Sequence, residues 1–245
     1  HFRHAATQHP VDFWLSDRNQ RGAVGTCGGH HWIIEDCLIE EVRNVGLDFG
    51  YEGGQALAAI GQGGLGLQEV CSRLGTGRHL IRNNTVRRTG GPGMMATCAA
   101  WSQVRGNRIE DTDLVATSKP EKGGLKTHFV MNSVIEGNLF LNCRAYGLWL
   151  DNTYQDLRVT RNVFVNCAPY SIWTEMGLGP LLIDRNLFIG KGLEHWDCDG
   201  VVLAHNLFHD AAFTYGTWMD RTVHVHADDA LARPLYPVTY PYKAA

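Results

Sequence analysis

The sequence predicts an all-β solenoid, a parallel β-helix of about 24 residues per turn. Three observations predict it: a recurring Asn in a fixed apolar frame, a second alternating segment that trails each Asn, and glycine or small residues between the two. The frame reads apolar-x-x-Asn-x-apolar. Its clearest copies are Val104–Ile109, Ile135–Phe140, Val159–Phe164, Ile183–Phe188 and Leu203–Phe208, joined by Ile81–Val86 and by Ile34–Ile39 with Cys37 in the Asn place. The anchors Cys37, Asn84, Asn107, Asn138, Asn162, Asn186 and Asn206 are spaced by 47, 23, 31, 24, 24 and 20 residues. The first gap is read as two turns and the others as one each. Stacked Asn side chains satisfy one another and the backbone at a corner, so this column is given a structural role and no chemistry.

Nine to thirteen residues past the anchors lie Gly46–Gly50, Gly93–Thr97, Gly147–Asp151 and Ser171–Glu175, all alternating in character. Gly124–His128 fits once an eight-residue insertion is absorbed, and His195–Asp199 fits more weakly. Period-two alternation is the mark of a strand. It sends Leu148, Leu150 and Ile172 inward and Trp149, Asp151, Trp173 and Glu175 outward on one face. A leucine-rich repeat shares the period and the Asn ladder. That fold, however, follows its Asn with a helical segment, whereas Trp and Gly stand here where helix formers belong. The β-helix is the better fit. Residues 1–212 are expected to form it, with 50–77 as a glycine-rich loop or lid and 213–245 as an irregular tail or cap. A phosphate loop is the sharper reading of Gly61–Gly66, but no Lys-Ser/Thr pair follows it.

Composition narrows the function classes. The net charge of −3 gives no electrostatic footprint for nucleic acid. No run of 18 apolar residues offers a membrane span. Seven cysteines without CxxC spacing argue against a zinc ribbon or a complete disulfide framework. Cys143 and Cys167, each five residues past its anchor, should stack as buried corner residues, with a disulfide as the minor alternative. His30-His31 and His224-x-His226 have metal-like spacing but lack a third ligand set, so neither a metal nor another cofactor is expected. The chain begins His1-Phe2-Arg3-His4, which gives no reading of a leader or a compartment.

The candidate chemistry sits on the outward face. Asp151 and Glu175 each lie 13 residues past an anchor, one turn apart. Neighbouring strands about 4.8 Å apart would bring two such carboxyls to roughly the 5–5.5 Å of a retaining glycosidase pair. Two carboxyls so close resist joint ionisation, which suits one of them to hold a proton as the acid. The column 11 past the anchors reads Asp48, Met95, Lys126, Trp149, Trp173 and Asp197; the column at 13 reads Gly50, Thr97, His128, Asp151, Glu175 and Asp199. Tryptophan faces beside hydrogen-bonding charges suit a sugar ring, and outward tryptophans are costly without a ligand or covering loop. The bland alternative is a solvated acid pair, salt-bridged to Lys126 or Arg158.

At these residues the chain resembles glycoside hydrolase family 120. The resemblance rests on Gly147-Leu148-Trp149-Leu150-Asp151, on Arg158–Phe164, on Glu175 and on Gly179–Asp184. Arg3–Gln8 and Trp32–Glu35 extend it discontinuously over 1–210. It implies a right-handed β-helix and a β-xylosidase activity, with Asp151 as nucleophile and Glu175 as general acid/base. Asn152 and Met176-Gly177 depart from that family's pattern. The expectation is a retaining hydrolase of β-xylosides or related short oligosaccharides, with Trp149 and Trp173 shaping the sugar site and Lys126, His128 and Asp48 binding hydroxyls. The partner is then an oligosaccharide substrate, with self-association into a homo-oligomer left open. Two rivals stand: a polysaccharide lyase using Lys126 or His128 as base, and a non-catalytic carbohydrate-binding or adhesin β-helix.

Overall fold

Each anchor Asn repeats one set of contacts, and these contacts fix how the turns stack. Asn138 Oδ1 accepts from the backbone N–H and the Nδ2 of Asn107, both at 2.9 Å. Its own Nδ2 donates to Asn162 Oδ1 at 2.9 Å and to the Val104 carbonyl at 3.0 Å. The pattern continues through Asn162 and Asn186 to Asn206. At the other end the Cys37 N–H donates to Asn84 Oδ1 at 3.1 Å. The ladder satisfies backbone groups that the corner would otherwise bury unpaired.

The computed structural model describes residues 1–5, 22–50, 75–115, 121–151, 155–175, 177, 179–196, 198 and 200–216. The expected lid lies mostly, and His224 and His226 lie wholly, outside these described residues. Three parallel sheets run along the solenoid. One carries the strands that follow each anchor, such as Arg108–Glu110, Leu139–Leu141 and Val163–Val165. The second carries the alternating segments Leu47–Asp48, Met94–Thr97, Leu125–His128, Tyr146–Asp151, Tyr170–Glu175 and Leu193–Trp196. The third precedes the anchors and includes Met131–Glu136, Gln155–Thr160 and Leu181–Asp184. Among the described residues no helix is long and apolar enough to cross a membrane.

Two corners recur in left-handed backbone. The residue before each anchor has positive φ: Asp36 at 54°, Asn83 at 55°, Gly106 at 62°, Gly137 at 66°, Arg161 at 56°, Arg185 at 56° and His205 at 55°. So does the residue four past each anchor, from Glu41 at 54° to Asn166 at 53° and Asp210 at 50°. Most of these are not glycine, so each costs about 1–2 kcal/mol that the surrounding ladders must offset.

The core is built in columns. Phe140, Phe164, Phe188 and Phe208 stack nearly parallel, with ring centroids 4.8, 5.2 and 4.6 Å apart. Leu148, Leu150 and Ile172 point inward and are fully buried, as the alternation predicts. Gly124 and Gly147 let the chain pass close by: a Cβ on Gly147 would lie 2.7 Å from the Ser171 carbonyl and 2.8 Å from Phe164. Cys143 and Cys167 fill the same corner as buried free thiols.

Two readings of spacing are corrected. The 47-residue gap is a single turn, because Ile33–Glu35 pairs directly with Leu80–Arg82 and Leu38–Val42 with Thr85–Thr89. A period count cannot tell residues added between two adjacent turns from an extra turn. The last turn is also out of step with the expected columns: Glu194, not Asp197, pairs with Trp173, and Trp196, not Asp199, pairs with Glu175. The 20-residue spacing from Asn186 to Asn206 shortens the corner ahead of the strand, so that strand starts early. A further strand, Phe213–Gly216, extends the second sheet past the expected boundary at 212.

Candidate active site

The second sheet places the expected acid pair in register. Asp151 ends the strand Tyr146–Asp151, Glu175 ends Tyr170–Glu175, and the two are direct partners across the pair, as are Trp149 and Trp173. Parallel partners project to the same side, so both carboxyls face away from the helix core on adjacent turns. They are not solvated: Asp151 is 5% and Glu175 4% exposed.

Asp151 is held through one oxygen. Its Oδ2 accepts from Lys126 Nζ at 2.5 Å and lies 3.1 Å from His128 Nε2, both from the turn below. Its Oδ1 is buried and accepts no hydrogen bond among the described residues. Burial pushes the Asp151 carboxyl up, but the Lys126 ammonium and His128 oppose it and win, holding the group well below the usual carboxylate range. A depressed carboxylate contributes stability above its unfolded pKa of about 4, and loses it only as pH falls through the lower folded value. Asp151 therefore stays ionised across neutral and mildly acidic pH. Lys126→Met removes the counter-charge and leaves burial dominant. The Asp151 carboxyl should then titrate about 1–3 pH units higher, measured by NMR titration of the labelled carboxyl carbon in the two proteins.

Lys126 has other partners than the sugar hydroxyls expected of it. It is fully buried, 3.3 Å from Glu121 Oε2, with its ammonium 3.0 Å from the centroid of the Trp149 ring. The opposite face of Trp149 stacks on Trp173 at 4.4 Å and 22°. With both faces covered, Trp149 cannot stack a sugar; it seats Lys126 by a cation–π contact. Trp173 is only half-buried, and Tyr146 packs against both indoles, at 5.0 and 4.7 Å. Burial first, and then Glu175, Tyr170 and Glu194, push the Tyr146 phenol up. His128 is buried 3.5 Å from Glu121 Oε2 and is committed to the carboxylates around it.

Asp48 is not brought to this cluster. It shares the Lys126 column, but Met95 lies between them, and Asp48 Oδ1 instead accepts the Gly50 N–H at 3.1 Å. At about 4.8 Å per strand, the three steps from its strand to that of Asp151 put the two backbones roughly 14 Å apart.

Two carboxylates escaped the sequence reading. Glu121 stands at the end of the insertion in the turn after Asn107, whose closure is pinned by Asp113 Oδ2 accepting the Gly123 N–H at 2.9 Å. Its one signal in the sequence is the insertion itself. The short last spacing hides Glu194, because it shifts that strand out of the expected columns. Glu121, His128 and Asp151 could gather around a cation, and the Lys126 ammonium already occupies that position, 2.5 Å from Asp151 and 3.3 Å from Glu121.

Around the acid pair, Trp149 Nε1, Asp151 Oδ1, Trp173 Nε1 and Glu194 Oε2 are buried without a hydrogen bond of good geometry among the described residues. Each orphan costs about 1–3 kcal/mol, so a polar ligand arriving here recovers bonds the fold leaves unmade.

A family model described as "Right handed beta helix region" matches residues 23–227, and the chain belongs to that family. No curated protein matches the chain. Among solved structures, the complex of XylC with xylose is 24% identical with a TM-score of 0.64, covering 78% of this chain and 33% of that one. The surface protein and adhesin PfbA of Streptococcus pneumoniae is 13% identical with a TM-score of 0.50, covering 74% of this chain and 49% of that one. Both likenesses are of fold. The chain spans about a third of the length of XylC and about half that of PfbA.

Proposed function

We propose that this right-handed β-helix protein is a retaining glycoside hydrolase acting on β-xylosides or related short oligosaccharides, in the manner of the family 120 β-xylosidases. The observation that carries the reading is the pairing of Asp151 with Glu175 across adjacent strands, with Asp151 Oδ2 anchored and Oδ1 unengaged. A spacing set by neighbouring strands suits direct attack and leaves little room for the water that inversion needs. The choice of sugar leans on XylC, whose solved complex holds xylose.

In the first step Asp151 Oδ1 attacks the anomeric carbon while Glu175 gives its proton to the departing glycosidic oxygen. The product is a covalent glycosyl ester on Asp151. In the second step the Glu175 carboxylate takes a proton from water, the water oxygen attacks the same carbon, and Asp151 leaves. Two inversions give net retention. Lys126 and His128 keep Asp151 ionised and aim its free oxygen, and the Trp173 indole N–H is a donor for a ring hydroxyl.

The lyase alternative asks Lys126 or His128 to act as a free base, yet both are buried against Asp151 and Glu121. Hydrolysis of aryl β-xyloside, with the anomer of the released sugar followed by NMR, tests the proposal. Released xylose of retained configuration is expected. An inverted product would break the direct-attack mechanism. Sugar binding without turnover would move the reading to a carbohydrate-binding or adhesin module.

A further inference from the structure

Glu194 and Trp196 sit one turn beyond the acid pair. In register, Glu194 follows Trp149 and Trp173, and Trp196 follows Asp151 and Glu175. Both therefore project to the face that carries the carboxyls. Glu194 is 5% exposed, its Oε1 accepts the Trp196 indole N–H, the Tyr170 phenol lies near the carboxylate, and its Oε2 accepts no hydrogen bond of good geometry among the described residues. Trp196 is half-buried. A buried carboxylate with one oxygen pinned and the other short of a well-formed hydrogen bond is costly unless something donates to it. No lysine or arginine follows Lys126 on the second sheet, so no side chain of that sheet neutralises it.

We propose that Glu194 and Trp196 form the subsite for the leaving-group sugar, making this site selective for glycosides whose leaving group is itself a hydroxylated sugar. The inference rests on the catalytic reading above, because the acid marks the leaving side. Glu175 donates to the departing oxygen, so the departing group lies against Glu175, and the next side chains in its direction are Trp196 and Glu194. Glu194 Oε2 accepts from hydroxyls of that second ring, and the Trp196 indole both braces the carboxylate and offers a flank to the ring's C–H face. An aryl leaving group has no hydroxyl to give and makes no use of Glu194.

The test is the ratio of kcat/KM for the β-1,4-linked xylose disaccharide to that for aryl β-xyloside, in the wild type and in Glu194→Gln. Loss of a hydrogen bond to a charged acceptor should lower this ratio about tenfold or more. Any loss of folded enzyme affects both substrates equally and cancels. Trp196→Phe, which removes the N–H that pins Oε1, should lower the ratio in the same sense. An unchanged ratio in both variants overturns the subsite. If the wild type hydrolyses neither substrate, the catalytic reading fails by itself and calorimetry decides the subsite. Disaccharide binding weakened about tenfold by Glu194→Gln would keep it, and binding that is absent or indifferent to the substitution would overturn it.

Discussion

On the proposed mechanism, Asp151→Asn should lower glycoside turnover by about 10³-fold or more, the scale expected when an essential member of a catalytic pair is removed. The amide keeps the shape of the side chain but cannot attack the anomeric carbon. The protein should remain folded, because Lys126 keeps a second counter-charge in Glu121 at 3.3 Å. Near-ultraviolet circular dichroism beside the kinetic assay separates the two effects. Glu175→Gln should behave differently. Its loss is smaller with a nitrophenolate leaving group, which departs without a proton, than with a sugar, whose oxygen needs one. Near-normal rates in Asp151→Asn, with the fold intact, would sink the mechanism.

Asn162→Ala has the largest expected effect on stability. Asn162 is 1% exposed and serves two turns at once. Its Oδ1 accepts from the N–H and the Nδ2 of Asn138 at 2.9 Å each, and its Nδ2 donates to the Ile135 carbonyl at 2.9 Å. The substitution takes their side-chain partner from the Asn138 N–H and the Ile135 carbonyl in a buried corner, while Asn138 Nδ2 keeps its bond to the Val104 carbonyl. At roughly 1–3 kcal/mol per orphan, with partial relaxation, the loss should be about 4 kcal/mol, read from urea denaturation. Asn206→Ala should cost less, since Asn206 is only half-buried and water can replace the lost partners. Equal losses at the two positions would mean that the ladder does not depend on burial for its strength.

The site was legible where the repeat was regular. From Asn138 to Asn186 the anchors are 24 residues apart, so counting from them aligned Asp151 with Glu175 and Trp149 with Trp173, and the strands pair in that register. Where the spacing broke, counting failed. The 47-residue gap holds one turn and not two, and the 20-residue gap moves Glu194 and Trp196 into columns expected for Asp197 and Asp199. Insertions and deletions fall at the corners, and a sequence shows how many residues were added or lost without showing on which side of a strand. The left-handed corner residues were equally hidden, because Arg161, Arg185 and His205 carry no local mark of positive φ. Only stacking on the neighbouring turn holds them there.

The sequence by itself determined the solenoid, the Asn ladder, the inward Leu and Phe columns and the two carboxyls in register. All of these follow from periodicity, and a period survives in one dimension. The tertiary structure alone decided what each outward side chain does. Lys126 and Trp149 looked like sugar contacts in the alignment, yet packing turned the ammonium onto Asp151 and covered both faces of the indole. Asp48 shares their column and stands too far down the helix to join them. A column gives the direction in which a side chain leaves the strand; burial, charge pairing and the neighbours above and below choose its partner, and those are set in three dimensions.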